Sequence, residues 1–228
     1  MVFKTIDRET GLQIVLDGIR SAILDNKFRP GSQLKQSVIA TEFGVSQGLV
    51  REALAQLLVE GLVENSPYRG TFVCTLEEKD IKEIYQLRAT LECLAMELTL
   101  PKFQDGMHLQ DLEEIHQQTL VALRGNNPDL ISTTDLEFHR FIVELSNNSR
   151  LIRAWNSIVA QSRYLLRNLY SVGINLKASD HSDWMDAIRN KADISVIHQI
   201  IKTRMFATEN ILLDNWYKVQ SMASLKQV

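Results

Sequence analysis

Cysteine, proline and glycine are all scarce in this sequence, and each scarcity excludes a class of protein. The 228 residues include 2 cysteines, 4 prolines and 10 glycines. Cys74 and Cys93 do not have the spacing of a metal site and fit free thiols in a reducing compartment, which excludes a disulfide-rich secreted protein. So few prolines and glycines over this length predict helices with few breaks.

The sequence also offers no segment for a membrane and no excess of positive charge. No apolar run approaches the roughly 20 residues that span a bilayer. The first residues, MVFKTIDRETG, contain no apolar stretch of the kind found in signal peptides. We therefore expect a cytoplasmic protein with no membrane partner. The net charge is -3, and basic residues do not outnumber acidic ones in the first 75 positions. A nucleic-acid partner must therefore be argued from where the basic residues lie.

The segment from Ser32 to Val73 has the pattern of a helix-turn-helix followed by a wing. Helical spacing of apolar residues predicts helices over about 10–27, 36–43 and 47–60. Gly44 is suited to end the second helix and Ser46 to cap the third. The residues expected to face inward are Val38, Ile39 and Phe43 in the second helix and Val50, Leu54, Leu57 and Leu58 in the third. The wing is predicted from two short strands, Leu62-Val63 and Thr71-Phe72-Val73, around Ser66-Pro67.

The start of the third helix holds the candidate base contacts. Helix-turn-helix proteins place this end of their second motif helix against base edges in the major groove. Here the sequence has Ser46, Gln47, Gly48 and Arg51. Arginine can bind guanine through two hydrogen bonds, and glutamine can bind adenine in the same way. The alternative is that Arg51 forms a surface ion pair with Glu52 or Glu60.

Further basic residues are candidate backbone and groove contacts. Arg69-Gly70 at the predicted wing tip suits the minor groove, where negative potential attracts arginine and glycine permits close approach. The alternative is a plain hairpin turn. Lys27, Arg29 and Lys35 are candidate phosphate contacts, or members of a solvated charged surface.

Taken together, these motifs resemble the GntR family of bacterial regulators. The resemblance places the family's base-contacting arginine at Arg51 and its wing-tip pair at Arg69-Gly70. The family often has Arg-Thr-Pro after the capping serine, where this chain has Gln47-Gly48-Leu49, so we expect an uncommon operator. The matching positions are Pro30-Gly31, Leu34, Ala40, Phe43 to Ser46, Val50 to Leu54, Leu57, Glu60 to Val63, Arg69-Gly70 and Phe72-Val73.

From Glu77 onward the sequence predicts only helices. They lie near 78–99, 107–124, 129–146, 149–172, 179–190 and 193–221, which with short connections predicts a bundle. The fold expected is mainly α: a winged helix-turn-helix over 1–74 and an all-helical domain for effector binding and dimerisation over 75–228. On the first of these helices one apolar face is predicted, made of Ile84, Leu87, Leu91, Leu94 and Leu98.

The second domain resembles the FCD type, named for the FadR C-terminal domain. The residues that match are Leu87 to Glu92, Asp135 to His139, Ser146 to Asn148 with Leu151, and His181 with Ala187-Ile188. This resemblance implies a buried effector site in which an Asp and three His hold a metal ion that helps to bind a carboxylate.

Asp135 and His139 are i and i+4 on one predicted helix, so both side chains reach one point of the bundle. This pairing suits Zn, Mn, Ni or a similar divalent ion. The resemblance adds His181 as a third ligand. The fourth expected His is absent, because this chain has Thr203 and Arg204 there. His198 is not a ready substitute, because it would lie on a different face of the same helix from that position.

Three interpretations of this site stay open. An ion binds with three protein ligands and leaves positions for water or effector, or the metal is lost and Arg204 binds a carboxylate directly. In the third, Asp135 and His139 only form hydrogen bonds in the core. Arg88 and Arg163 are further candidates for the carboxylate, Arg163 otherwise forming a surface salt bridge.

The function predicted is a homodimeric, ligand-responsive transcription regulator, more specifically a repressor released by a small carboxylate metabolite. Two recognition helices of a dimer can bind a two-fold operator about one DNA turn apart. The rival is a metal-dependent enzyme that activates water at Asp135, His139 and His181. The remaining histidines His108 and His116 are expected to be solvated.

Overall fold

A computed structural model describes residues 8–174 and 179–225 of the chain and places them in two compact units. The first unit extends to Leu76 and the second runs from Glu77 to Met222, while the described residues from Ala223 onward group with the first. The elements are α1 (Arg8–Leu24), α2 (Gln36–Phe43), α3 (Gln47–Val59), β1 (Val63–Ser66), β2 (Gly70–Val73), α4 (Glu78–Gln104), α5 (Leu109–Gly125), α6 (Pro128–Leu145), α7 (Ser149–Ser171), α8 (Ser182–Arg189), α9 (Ile194–Asp214) and α10 (Trp216–Leu225).

The first unit is a helix-turn-helix with a wing, as predicted. Helices α1 and α3 pack against each other through fully buried side chains that include Ile19 and Leu57. Helix α2 ends at Gly44, whose φ of 65° is left-handed and favours glycine. At the start of α3 the Ser46 hydroxyl accepts a hydrogen bond from the Leu49 N–H (3.3 Å). These two local signals fix the turn between α2 and α3.

Two apolar residues predicted to face inward are exposed instead. Val38 is 50% exposed and Leu58 is 40% exposed, whereas Ile39 and Leu54 are buried as expected. Neighbouring residues on a helix point about 100° apart. Helices as short as α2 and α3 each bury a narrow stripe, so the residue beside that stripe stays in solvent.

The wing is an antiparallel pair of strands, β1 and β2, in which Val63 pairs with Val73 and Ser66 with Gly70. The Arg69 N–H closes the turn onto the Ser66 carbonyl (3.1 Å). In this four-residue turn Pro67 is second and Tyr68 is third. A proline at the second position and a φ of 61° at the third fit a type II turn. Pro67 therefore favours the turn that brings Tyr68, Arg69 and Gly70 to the tip.

The second unit is entirely helical in its described residues. Helix α4 runs through Pro101 to Gln104, beyond the predicted end near 99, because a proline near the C-terminus of a helix removes only one late hydrogen bond. The predicted last helix is divided at Asn215 into α9 and α10. Across 8–174 and 179–225, every helix is too short or too polar to cross a membrane.

Helix α4 lies at the centre of this unit, and its burial differs from the prediction. It packs against α6, α7 and α9 through buried residues that include Ile81, Tyr85, Arg88 and Glu92. Of the predicted apolar face Ile84 is buried, but three leucines stand in solvent. Leu87 is 42%, Leu94 39% and Leu98 41% exposed. Arg88 and Glu92 are buried instead and form an ion pair (2.9 Å), which offsets part of the cost of removing each charge from water.

Candidate functional site

The N-terminal end of α3 presents three of the predicted DNA-contacting residues to solvent. Gln47, Gly48 and Arg51 are exposed, while the Ser46 hydroxyl caps the helix. Glu60, one predicted ion-pair partner of Arg51, is bound by Arg20 instead, with Nε–Oε2 at 2.9 Å and Nη2–Oε1 at 2.6 Å. Within the described part of the chain no ion pair holds the Arg51 guanidinium. This group is therefore available to a ligand outside the protein.

Gln33 supports the wing tip from outside the hairpin. Its Nε2 donates to the Arg69 carbonyl (2.6 Å), and a Cβ on Gly70 would lie 3.3 Å from the same atom. Gly70 also has a φ of 101°, so side chains are disfavoured there for two reasons. The Arg69 guanidinium lies 5.4 Å from the centre of the Phe72 ring, a cation–π contact that orients it.

Two residues at the wing tip, one in the hairpin and one outside it, were not predicted from the sequence. Tyr68 stands fully exposed beside Arg69, and Gln33 contacts the turn from 36 positions away. The order Pro67-Tyr68 beside Arg69-Gly70 could have indicated that Tyr68 lies at the tip of the turn. Nothing in the sequence pairs Gln33 with Arg69.

The candidate phosphate contacts differ in their surroundings. Lys35 is exposed immediately before α2, while Arg29 is half-buried. Lys27 is 74% exposed, and its Nζ lies 3.2 Å from Asp25. Lys35 is therefore the best placed of the three, since it precedes a helix N-terminus, which itself favours anions.

Three predicted metal ligands meet inside the second unit. Asp135 and His139 come from α6, and His181 immediately precedes α8; all three are buried, and their ligand atoms lie within 4.8 Å of one another. His181 Nε2 lies 3.1 Å from His139 Nε2 and 3.6 Å from Asp135 Oδ1. In the described residues this is the one such group of three.

Glu92 on α4 orients this group, a role that the sequence analysis missed. Its Oε2 lies 2.7 Å from His139 Nδ1, and its Oε1 accepts from Arg88 Nε (2.9 Å) and from Trp155 Nε1 (3.0 Å). Burial raises the pKa of the Glu92 carboxyl, but Arg88 and then His139 outweigh burial and lower it to about 2. The ionised carboxylate holds the His139 ring so that Nε2 faces the other ligands, as carboxylates do for metal-bound histidines.

His181 is held in the neutral form. Burial, followed by the neighbouring His139 and Arg204, keeps its pKa well below the ordinary value. The Phe138 ring stacks on it, with centroids 4.2 Å apart and planes 13° apart. A neutral imidazole retains the lone pair that a metal ion needs. The three ligand atoms, with the Glu92 carboxylate beside His139 Nδ1, fit one divalent ion with three protein ligands.

A cavity of about 20 Å³ adjoins the three ligands. Arg88 and Arg204 both line it; Arg204, on α9, pairs with Asp183 on α8 through Nε and Oδ1 (2.7 Å). Arg163, the third effector candidate, is not among the cavity residues in the described chain. It donates to Thr133 Oγ1 (2.7 Å) and lies 3.5 Å from Asp129.

The remaining histidines take three different places. His108 is half-exposed beside Asp111, as expected. His116 is 2% exposed, so the prediction that it is solvated was wrong: its ring packs near Phe138, with Nε2 3.7 Å from Asp180. His198 Nε2 lies 3.2 Å from the Cys93 carbonyl rather than in the cavity.

A winged helix-turn-helix followed by a helical bundle with a buried polar site defines a class of two-domain DNA-binding regulators, and the chain compares well with that class. Residues 13–73 match the model of bacterial regulatory proteins of the gntR family, and residues 83–194 match the FCD domain. The chain belongs to the GntR family. It is therefore a DNA-binding transcription regulator with an FCD domain, not the metal-dependent enzyme considered as a rival.

Several bacterial transcription regulators are similar to this chain in sequence. The probable D-xylose utilization operon transcriptional repressor of Paenarthrobacter nicotinovorans is 28% identical over 81% of each chain. The gluconate operon transcriptional repressor of Bacillus subtilis is 28% identical over 94% of this chain and 89% of its own length. An uncharacterized regulator of Agrobacterium vitis is 33% identical over 55% of this chain and 74% of its own.

Solved structures agree on the fold. A putative GntR regulator from Rhodococcus sp. RHA1 has a TM-score of 0.71 with 24% identity, covering 89% of this chain and 97% of its own. The E. coli protein McbR/YncC has a TM-score of 0.75 with 20% identity, covering 90% and 98%.

Proposed function

We propose that this chain is a cytoplasmic, homodimeric repressor of transcription that a small carboxylate metabolite releases from a two-fold operator. The observation that supports this most directly is the exposed guanidinium of Arg51 at the start of α3, which no ion pair holds among the described residues, together with a buried charged site in the second unit. The names of the D-xylose and gluconate operon repressors support repression over activation.

On the DNA side, α3 enters the major groove. Arg51 and Gln47 contact base edges, Ser46 and Lys35 lie near phosphates, and Arg69-Gly70 contacts the minor groove. Gly48 is explained by DNA rather than by the protein, because a Cβ there would meet only Ser46 Oγ at 3.7 Å. A glycine that the protein itself does not require permits close approach of the sugar-phosphate backbone.

On the effector side, Asp135, His139 and His181 hold a single divalent transition metal such as Zn, Mn or Ni. The bound ion would supply positive charge for a carboxylate, with Arg88 and Arg204 on the same cavity. Arg88 is already neutralised by Glu92, so its main effect is to keep Glu92 ionised. Arg204 is the better candidate for direct contact with the effector. Arg163 remains a candidate only for an effector that extends beyond the cavity.

The dimer uses the exposed leucines of α4. These are Leu87, Leu94 and Leu98, which together with the half-buried Leu91 repeat at intervals of three and four residues, the spacing of a helix–helix contact. An apolar stripe of this length on a monomer is typical of a covered surface. Two copies related by a two-fold axis would bury the same stripe on each side.

Binding to the chain's own promoter region tests this function. We expect saturable binding of a fluorescein-labelled promoter fragment in anisotropy titrations, and competition by unlabelled fragment but not by an unrelated duplex. A panel of small organic acids is then added to the complex, and at least one is expected to lower operator affinity. An acid that binds the protein tightly and leaves operator affinity unchanged would refute the coupling between the two sites.

A further inference from the structure

Arg204 borders two compartments of different size. On the inner side is the cavity of about 20 Å³ beside the three metal ligands. On the outer side is an open groove of about 440 Å³. Arg204 lines both, whereas Asp183 lines only the outer groove. Arg204 therefore lies between the inner cavity and the outer groove.

The Asp183 carboxylate is paired with Arg204 at this position. Arg204 Nε donates to Asp183 Oδ1 (2.7 Å), and Arg204 Nη2 contacts the same oxygen. The two partners differ in burial, since the Arg204 side chain is 16% exposed and that of Asp183 is 53% exposed. Losing this contact costs Asp183 little, because water solvates its carboxylate. The Arg204 guanidinium, which is more buried, is suited to pair with another carboxylate in the place of Asp183.

The size of the inner cavity limits what can enter. A volume of about 20 Å³ holds a water molecule or an ion, and an organic acid does not fit inside it. The outer groove is large enough for a small metabolite, and its lining offers both apolar and hydrogen-bonding side chains. Those residues are Ser195, Val196, Gln199, Ile200 and Thr203, beside Asp183 and Arg204.

We propose that Asp183 is a built-in substitute for the effector's carboxylate. An incoming small organic carboxylate displaces Asp183 from Arg204 and pairs with the guanidinium, while the body of the molecule lies in the outer groove. This exchange breaks an ion pair between α8 and α9 at the helix that directly follows His181. Its link to DNA release rests on the proposed function, but the exchange itself is a property of the second unit.

The test uses the purified full-length protein and three variants. Asp183→Asn removes the substitute, Arg204→Gln removes the cation, and Asp186→Asn is the control, because Asp186 is an exposed acidic residue of the same helix that pairs with Arg189. The probes are sodium acetate, lactate and gluconate, with sodium chloride and the uncharged lactamide as references. Thermal shift ranks the probes and calorimetry measures Kd for those that bind.

We expect Asp183→Asn to bind a carboxylate about 2- to 5-fold more tightly than the wild type, since an exposed ion pair no longer competes. Arg204→Gln should bind it at least about 10-fold more weakly, because charge-assisted hydrogen bonds are lost. Asp186→Asn should match the wild type. Arg204→Lys keeps the positive charge but lacks the planar guanidinium, so it should bind with intermediate affinity. This variant tests the same site if Arg204→Gln does not fold.

Each contrary result has a distinct meaning. Unchanged affinity in Asp183→Asn, or no carboxylate-specific stabilisation of that variant by any probe, overturns the exchange. Unchanged affinity in Arg204→Gln overturns the anion site. If the variants behave as expected and the probe nevertheless leaves operator binding unaltered, the exchange stands and the proposed release of the repressor fails.

Discussion

Arg51 and Arg88 show how the same side chain serves two purposes in one chain. Arg51 is exposed at the start of α3, whereas Arg88 is 1% exposed and bound to Glu92 and Ser162. The first guanidinium is available to a partner molecule, and the second stabilises the interior. The sequence distinguishes them only through context: Arg51 follows a capped helix start, and Arg88 lies four residues before Glu92 on the long helix α4.

Replacing Arg51 by alanine should weaken specific DNA binding without unfolding the protein. A bidentate contact to guanine is worth about 1–3 kcal/mol, so the operator Kd should rise about 5- to 150-fold. Anisotropy with the promoter fragment measures this, and circular dichroism checks the fold. Arg140→Ala is the matched control, because Arg140 is a half-exposed arginine of α6 that pairs with Glu137. Equal losses in both variants would remove Arg51 from base recognition.

Replacing Glu92 by glutamine should destabilise the second unit and weaken metal binding. The substitution leaves the buried Arg88 without its counter-charge, which costs about 3–5 kcal/mol, and it removes the carboxylate that orients His139, which lowers metal affinity about 10- to 100-fold. Urea unfolding and competition with a metal-binding dye measure the two effects. Glu97→Gln, at a half-exposed acid of the same helix, should change neither.

The lowered pKa of Glu92 also predicts how the stability of the protein depends on pH. Since the folded pKa of Glu92 is about 2 and the ordinary value is 4.5, its contribution to stability is complete above pH 4.5 and is lost as the pH falls toward 2. The stability difference between the wild type and Glu92→Gln should therefore be constant from pH 7 to about 5 and shrink below 4.5. A difference that grows on acidification would contradict the ionised Glu92.

Among the elements, α3 is the proposed recognition helix, and one of its residues affects both the stability of the helix and its proposed contact with DNA. Its N-terminus is capped by Ser46, yet its second residue is Gly48, a poor helix former that no neighbouring atom requires. Because packing around this position permits alanine, we attribute the glycine to the proposed approach of DNA.

Gly48→Ala should therefore raise stability and lower DNA affinity. Alanine is favoured over glycine by up to about 1 kcal/mol within a helix, while its methyl group would stand between α3 and the DNA backbone. Urea unfolding and promoter anisotropy are measured on the same preparation. The matched control, Gly125→Ala at the end of α5, has open space around its Cβ position and should leave operator affinity unchanged. Tighter DNA binding by Gly48→Ala would contradict close approach at this position.

The elements that carry strong local signals are the ones that the sequence predicts well. The bounds of α2 and the start of α3 follow from Gly44 and Ser46, because both act through the backbone of their own turn. Helix α4 was less predictable: its buried face is set by the Arg88–Glu92 pair and by its partners α6, α7 and α9, which no helical period reveals. The meeting of Asp135 and His139 follows from i, i+4 spacing, but the approach of Glu92 and Arg204 depends on packing between helices.

For the whole molecule, the proposed dimer would connect the functions of the two units. A two-fold operator needs two recognition helices, and a stripe of exposed leucines on α4 supplies a surface that a second copy can cover. Because this stripe lies on the helix that also bears Glu92 and Arg88, we propose that a change around the candidate effector site reaches the proposed dimer contact through α4.

Leu94→Glu should weaken dimerisation and, with it, operator binding. A charge in the middle of the apolar stripe must be desolvated when two copies meet. Sedimentation velocity across a concentration series should show a monomer at concentrations at which the wild type is a dimer. Val121→Glu places the same charge on an exposed apolar residue of α5 outside the stripe and should remain dimeric. If both variants stay dimeric, the interface lies elsewhere.

The most direct measurement is a titration of the labelled promoter fragment with purified protein, repeated at saturating concentrations of the carboxylate that best stabilises the chain. The proposal predicts tight, Arg51-dependent binding without the acid and an operator affinity at least about 5-fold lower with it, the lower end of typical couplings between sites. Identical titration curves with and without a bound carboxylate would contradict an effector-released repressor.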